Sequence, residues 1–123
     1  MTEIGAPKGF VDRGDPSAND FTLTDFTTDG NVHDLDLSSI VKPGAKAVLF
    51  VLGFWHTSIG NAFAFRKKEN SNNNSKSVCV TWAANNWVYF DVICPIGFSR
   101  KISYYTSNTT FGAAALVVKG WWI

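Results

Sequence analysis

His33 and His56 are the only histidines in the chain, so acid–base chemistry near neutral pH would have to run through one of them. His33 stands beside Asp34, and His56 follows the aromatic pair Phe54-Trp55. A hydrolytic site needs a nucleophile, a base and an orienting acid brought together, and nothing in the sequence marks a strained nucleophile turn. The expectation is that the protein is not an enzyme. Asp25, Asp29, Asp34 and Asp36 could offer oxygen ligands to calcium, but their spacing matches no calcium loop and suits solvated strand and turn positions. Cys79 and Cys94 lack a Cys-x-x-Cys pattern or a histidine at ligand spacing. No metal and no cofactor is therefore expected. Arg13-Gly14-Asp15 spells an adhesion tripeptide, a triplet short enough to arise by chance.

Aromatic side chains offer a different chemistry, since sugar rings stack their C–H faces on exposed indoles. Trp55, Trp82, Trp87, Trp121 and Trp122 are the available indoles. Most should be core or interface. Trp87, beside the turn at Asn85-Asn86, is the one expected to stay exposed, so Trp87, Asn85 and Asn86 form a candidate glycan contact.

The elements that would position these residues are strands. Ten Phe, five Trp and three Tyr give 15% aromatics, alongside many Val, Thr, Asn and Gly, and helical periodicity is almost absent. Strands are expected around 20–26, 31–37, 46–55, 61–67, 77–82, 87–94, 98–106 and 111–122, with turns at Thr28–Asn31, Val41–Gly44, Asn70–Ser75, Pro95–Gly97 and Ser107–Thr109. About eight strands at this short, regular spacing predict an all-β fold: an antiparallel sandwich, jelly-roll-like. Residues 1–19, with Pro7, Pro16 and few apolar residues in period, read as an extended N-terminal arm, and 20–123 as a single domain. In 31–37, His33, Leu35 and Leu37 should face inward. Asn85-Asn86 reads as a two-residue hairpin turn, which would put Cys79 diagonal to Cys94 on one face. A diagonal pair lies at or beyond the roughly 7 Å limit for a disulfide, so two reduced core cysteines are expected.

Nearly every expected strand is apolar on both sides. In 46–55, Val48, Phe50, Leu52 and Phe54 would line one face, and Ala47, Leu49, Val51 and Trp55 the other. A sheet with one wet face should alternate apolar with polar, so a second cover is implied beyond the sandwich partner. Identical copies are the simplest cover, and closed symmetry such as a trimer supplies it without aggregation. The candidate self-association surface is Phe54, Trp55, Trp82, Tyr89, Trp121 and Trp122. A net charge of +1, with cations scattered apart from Arg66-Lys67-Lys68, gives no footprint for nucleic acid. Apolar runs of about ten residues fall short of the roughly 20 that span a bilayer, and the start MTEIGAPKGF lacks the order of a signal peptide, so no membrane partner is expected.

The stretch DRGDPSANDFTLTDFTTDGNVHDLDLSSIVKPGAKAVLF, with FAFRKKENSN and the ending LVVKGWWI, resembles a family of small proteins from tailed-phage and environmental viral genomes, over most of the chain from Asp12. The chain departs from that pattern at Phe54-Trp55-His56 and from Trp82 to Trp87, which are more apolar and suit a partner interface. The resemblance implies a jelly-roll virion module: a capsid decoration protein, a head fibre or a tail-fibre tip. It would be made in the host cytoplasm, reside in the virion, and contact copies of itself and other virion proteins. A carbohydrate-binding module recognising a cell-surface glycan is the alternative.

Overall fold

The computed structural model describes residues 9–123. Its elements in chain order are β1 (Phe10–Asp12), β2 (Phe21–Thr22), a 3-10 helix (Leu23–Asp25), β3 (His33–Asp36), β4 (Ala47–Trp55), β5 (Ala62–Lys67), β6 (Ser77–Val80), β7 (Val88–Pro95), β8 (Lys101–Thr106) and β9 (Ala113–Trp122). β4, rich in β-branched and aromatic residues, lies inside its sheet with β9 on one edge and β7 on the other. This front sheet runs β1-β9-β4-β7, and β2 also pairs with β9. The back sheet runs β3-β8-β5-β6. From β2 onward successive strands switch sheets, except for the β5–β6 hairpin. That path is an eight-stranded antiparallel jelly roll, as the sequence pattern predicts.

Period-two alternation fills the space between the sheets. Val48, Phe50, Leu52 and Phe54 project inward from β4 and meet Phe63 and Phe65 from β5, with Phe54 to Phe63 at 4.8 Å and Phe50 to Phe65 at 4.9 Å between ring centroids. Phe26 closes one side, edge-on to Phe63 at 5.3 Å and to Tyr104 at 5.0 Å. Burying a large apolar side chain is worth about 2–3 kcal/mol, so the four fully buried phenylalanines Phe50, Phe54, Phe63 and Phe65 contribute on the order of 10 kcal/mol before entropy is charged against them. Leu35 and Leu37 face inward as expected, and His33 is half-buried.

Two local expectations are corrected. Residues 20–26 do not form one strand. Thr22 N–H donates to Asp25 Oδ2 at 2.8 Å, and Phe26 N–H reaches Leu23 O at 3.1 Å, so local bonds wind the chain into a 3-10 turn after two strand residues. The second correction concerns β6 and β7, which are not a hairpin. β4 offers β7 a continuous edge from Ala47↔Pro95 to Phe54↔Val88, while the short β6 pairs with β5. Cys79 and Cys94 therefore reach the core from opposite sheets, both buried and free, and burial pushes each thiol up to about 12.

Of the expected extended arm, residues 1–8 lie outside the described residues, and the rest runs against the sandwich. Phe10–Asp12 pairs with Gly120–Trp122, on the side of β9 away from β4. The intervening loop is clamped. Arg13 Nη2 donates to Asp20 Oδ1 at 2.7 Å, Arg13 Nη1 also bonds the same carboxylate and donates to Val118 O at 3.1 Å, and Val118 N–H donates to Asp20 Oδ2 at 2.8 Å. The guanidinium of the Arg-Gly-Asp triplet is thus spent inside the fold.

Two outcomes are expected. Asp20→Ala strands the Arg13 guanidinium and the Val118 N–H, and should lower unfolding stability by about 2 kcal/mol in urea titrations; a loss under about 0.5 kcal/mol contradicts the clamp. Neither cysteine should react with a thiol-specific disulfide reagent at mildly alkaline pH until the protein is unfolded, and fast labelling of the native state contradicts the burial.

Candidate functional site

Alternation dictates that if Val48, Phe50, Leu52 and Phe54 face the core, their neighbours face out, and in the front sheet those neighbours are apolar too. Reading the strand registers across the outside of that sheet gives five rows: Phe10, Trp122, Ala47 and Pro95; Gly120, Leu49 and Ile93; Val117, Val51 and Asp91; Ala115, Gly53 and Tyr89; Ala113 and Trp55. A bulge opposite Leu49 and Phe50 leaves Lys119 without a partner, and its amine lies 3.8 Å from Asp91 Oδ1. Apart from this pair and Asp12 at the margin, the face carries no charge.

Its relief is set by glycines. A Cβ on Gly53 would sit 2.6 Å from the Tyr89 ring, one on Gly112 2.2 Å from Trp55, and one on Gly120 2.5 Å from Phe10. The missing side chains let three aromatic rings lie down across the sheet. Trp87 extends this layer, nearly parallel to Tyr89 at 13° with centroids 5.9 Å apart, and Phe10 meets Trp122 at 4.9 Å. The layer still leaves much apolar surface in water: Tyr89 is 66% exposed and Ile93 58%.

The outer face of the back sheet is the opposite. Asp34, Asp36, Lys101, Ser103, Tyr105 and Arg66 alternate with the inward Leu35, Ile102, Tyr104 and Phe65. Lys68 pairs with Asp34, and the Lys76 amine bonds the Tyr105 hydroxyl, 5.1 Å from its ring centroid. Val78 and Val80, on the edge strand β6, and Val32, just before β3, interrupt it with exposed apolar groups. Extensive double-sided apolarity therefore belongs to the front sheet, with the short edge strand β6 as the exposed exception in the back sheet, which narrows the expectation drawn for nearly every strand.

The candidate surface residues separate accordingly. Trp55, Tyr89 and Trp122 lie on the front face. Phe54 and Trp121 do not: they sit one residue out of phase, point between the sheets and are buried, Phe54 against Phe63 and Phe111. Trp82 is 72% exposed but lies in the 81–87 connection at one end of the sandwich. Asn85, in a left-handed turn conformation, and Asn86 occupy the same connection, next to Trp87 and the half-sandwich of aromatics over Gly53. Sequence reasoning missed Val117, Ile93 and Phe10. The alternation of Ala113, Ala115 and Val117 carried the signal for the first, whereas Phe10 was hidden in the supposed arm.

The histidines and the candidate carboxylates are hydrogen-bonded within the fold. Ser58 N–H donates to His56 Nδ1 at 3.0 Å, so the ring proton is on Nε2, which donates to Thr109 Oγ1 at 2.8 Å; the ring bolts the β4–β5 loop to the β8–β9 loop. His33 Nε2 lies 2.8 Å from Asp29 Oδ1, and with the Asn31 N–H it holds the Asp29 carboxyl down to about 2. Asp25, Asp34 and Asp36 are engaged separately with Thr22, Lys68 and Ser38. No helix among the described residues is long and apolar enough to cross a membrane. Comparison with family models, with curated proteins and with solved structures gives no match.

Gly53→Val tests the aromatic layer. The fold should persist, with stability changed by less than about 1 kcal/mol, while near-UV circular dichroism loses the Trp87–Tyr89 contribution. An unchanged near-UV spectrum contradicts the close approach of Tyr89 to Gly53.

Proposed function

We propose that this chain is a non-enzymatic structural subunit of a phage virion, of the capsid-decoration, head-fibre or tail-fibre kind, that assembles through the outer face of its front sheet. The observation carrying this reading is the apolar surface from Phe10 and Trp122 to Trp55, interrupted by the Asp91–Lys119 pair and set against the charged outer face of the back sheet. Four strands about 4.8 Å apart and nine residues at about 3.4 Å each give a flat projection of roughly 450–600 Å². Side-chain relief raises the accessible area toward the ~800 Å² per partner of a standard interface. The partner best matched is another copy. Asp91 and Lys119 are the charges within the apolar rows, and a closed oligomer, a trimer in its simplest ring, can exchange the pair between neighbours at no net charge cost. The jelly-roll path and the resemblance to viral proteins support the same setting.

A carbohydrate-binding module is the second reading, favoured by the parallel Trp87–Tyr89 pair beside Asn85 and Asn86. On that reading Trp87→Ala abolishes binding on a glycan array.

Light scattering at micromolar concentration should give the mass of a closed oligomer for the native chain. The Val51→Asp, Val117→Asp double variant should give a monomer with an unchanged far-ultraviolet spectrum. A monodisperse native monomer contradicts the assembly reading.

A further inference from the structure

β5 runs to Lys67, but its pairing with β6 stops at Phe65↔Ser77, so the last residues of β5 keep β8 on one side and lose their neighbour on the other. The loop at 68–76 arches over that gap toward the end of β7 and leaves a cavity of about 300 Å³. Its polar lining is Arg66, Asn70, Asn74, Ser75, Lys76 and Ser77, and no carboxylate lines it. Phe65, Cys94 and Pro95 supply an apolar wall.

Arg66 is the unusual member. The ion pairs among the described residues leave it out. Its one hydrogen bond runs from Nη1 to Asn73 Oδ1 at 3.4 Å, the long end of the range, and Nε is buried without a partner. With Nε closed off from solvent, the Nη groups are the part of this guanidinium that the cavity can use, and their one contact is long. Among the described residues the side-chain amides of Asn70 and Asn74 have no hydrogen-bond partner, and Ser75 Oγ donates to Asn72 O, which leaves its lone pairs free. The Lys76 amine, held at Tyr105, adds positive field.

We propose that this cavity binds a sugar residue bearing a carboxylate, of the uronic or sialic acid class. The Nη groups of Arg66, with the Lys76 amine lining the same cavity, offer donors and positive charge to the carboxylate oxygens. Asn70, Asn74, Ser75 and Ser77 offer donors and acceptors to ring hydroxyls, and the exposed Pro95 faces the C–H side of the ring. The volume sits at the lower end of ligand pockets, about 300–1,000 Å³, which admits one ring rather than a chain. The site lies at the opposite end of the sandwich from Trp87, Asn85 and Asn86. Apart from Pro95, its lining is not part of the front-sheet face, so it stands or falls separately from self-assembly.

The test is isothermal titration of the full chain, and of the Val51→Asp, Val117→Asp variant, with glucuronate, N-acetylneuraminate, glucose and inorganic phosphate. One of the two acidic sugars should bind both proteins at least about tenfold tighter than glucose and phosphate, a gap of about 1.4 kcal/mol. Arg66→Gln should remove that preference, and Asn74→Trp, which keeps the charge but fills the cavity, should abolish binding. Equal binding of phosphate reduces the site to a general anion contact and overturns the proposal. Equal binding of glucose, or no binding of either acidic sugar, overturns it as well.

Discussion

A β-strand shows alternate residues to opposite sides, and β4 and β9 are apolar on both. Sandwich packing can satisfy one side only. Phe50, Leu52 and Phe54 meet the back sheet, which leaves Leu49, Val51, Val117, Ala115 and Trp122 facing away from the core. The chain covers part of this surplus itself, by placing glycines where Phe10, Tyr89 and Trp55 can lie flat. Those rings replace aliphatic sheet surface with aromatic surface; they do not make the face polar. Everything proposed about assembly descends from that residue of uncovered area.

The asymmetry between the sheets gives the constraint a direction. Apart from Val78 and Val80 on its β6 edge, the back sheet turns outward with ion pairs and hydroxyls, such as Lys68 with Asp34 and Lys76 with Tyr105, and a single layer of water suffices there. The N-terminal segment then finishes the front sheet's far edge. β1 and β2 share one side of β9, and the Arg13–Asp20 bridge spans the gap between them over Val118. An edge closed in this way is less able to recruit foreign strands, so association is directed to the face and not to the edge.

The all-β class and the jelly-roll path were legible because strand-length apolar runs and turn clusters alternate so regularly, and Leu35 with Leu37 could be turned inward by phase alone. What was not legible was which strands pair. Asn85-Asn86 carries good hairpin chemistry, yet the long open edge of β4 outcompetes β6 for β7, a non-local preference no turn signal encodes. Phase also decides the candidate surface: Trp55 and Trp122 face out, while Phe54 and Trp121, one step away, face in. The cavity beside Arg66 escaped notice because 70–75 reads as an ordinary polar loop, and only the early end of the β5–β6 pairing opens space beneath it.

Hydroxyl-radical footprinting of the native protein at micromolar concentration tests the central claim most directly, because it reads side-chain exposure in the assembled state. Phe98, 93% exposed in a single subunit and away from the front face, serves as the internal standard. The account predicts that Phe98 is oxidised rapidly while Tyr89, Ile93 and Trp122 are protected several-fold, with protection lost on dilution to monomer. Oxidation of Tyr89 and Ile93 at rates matching their exposure in one isolated subunit would contradict it.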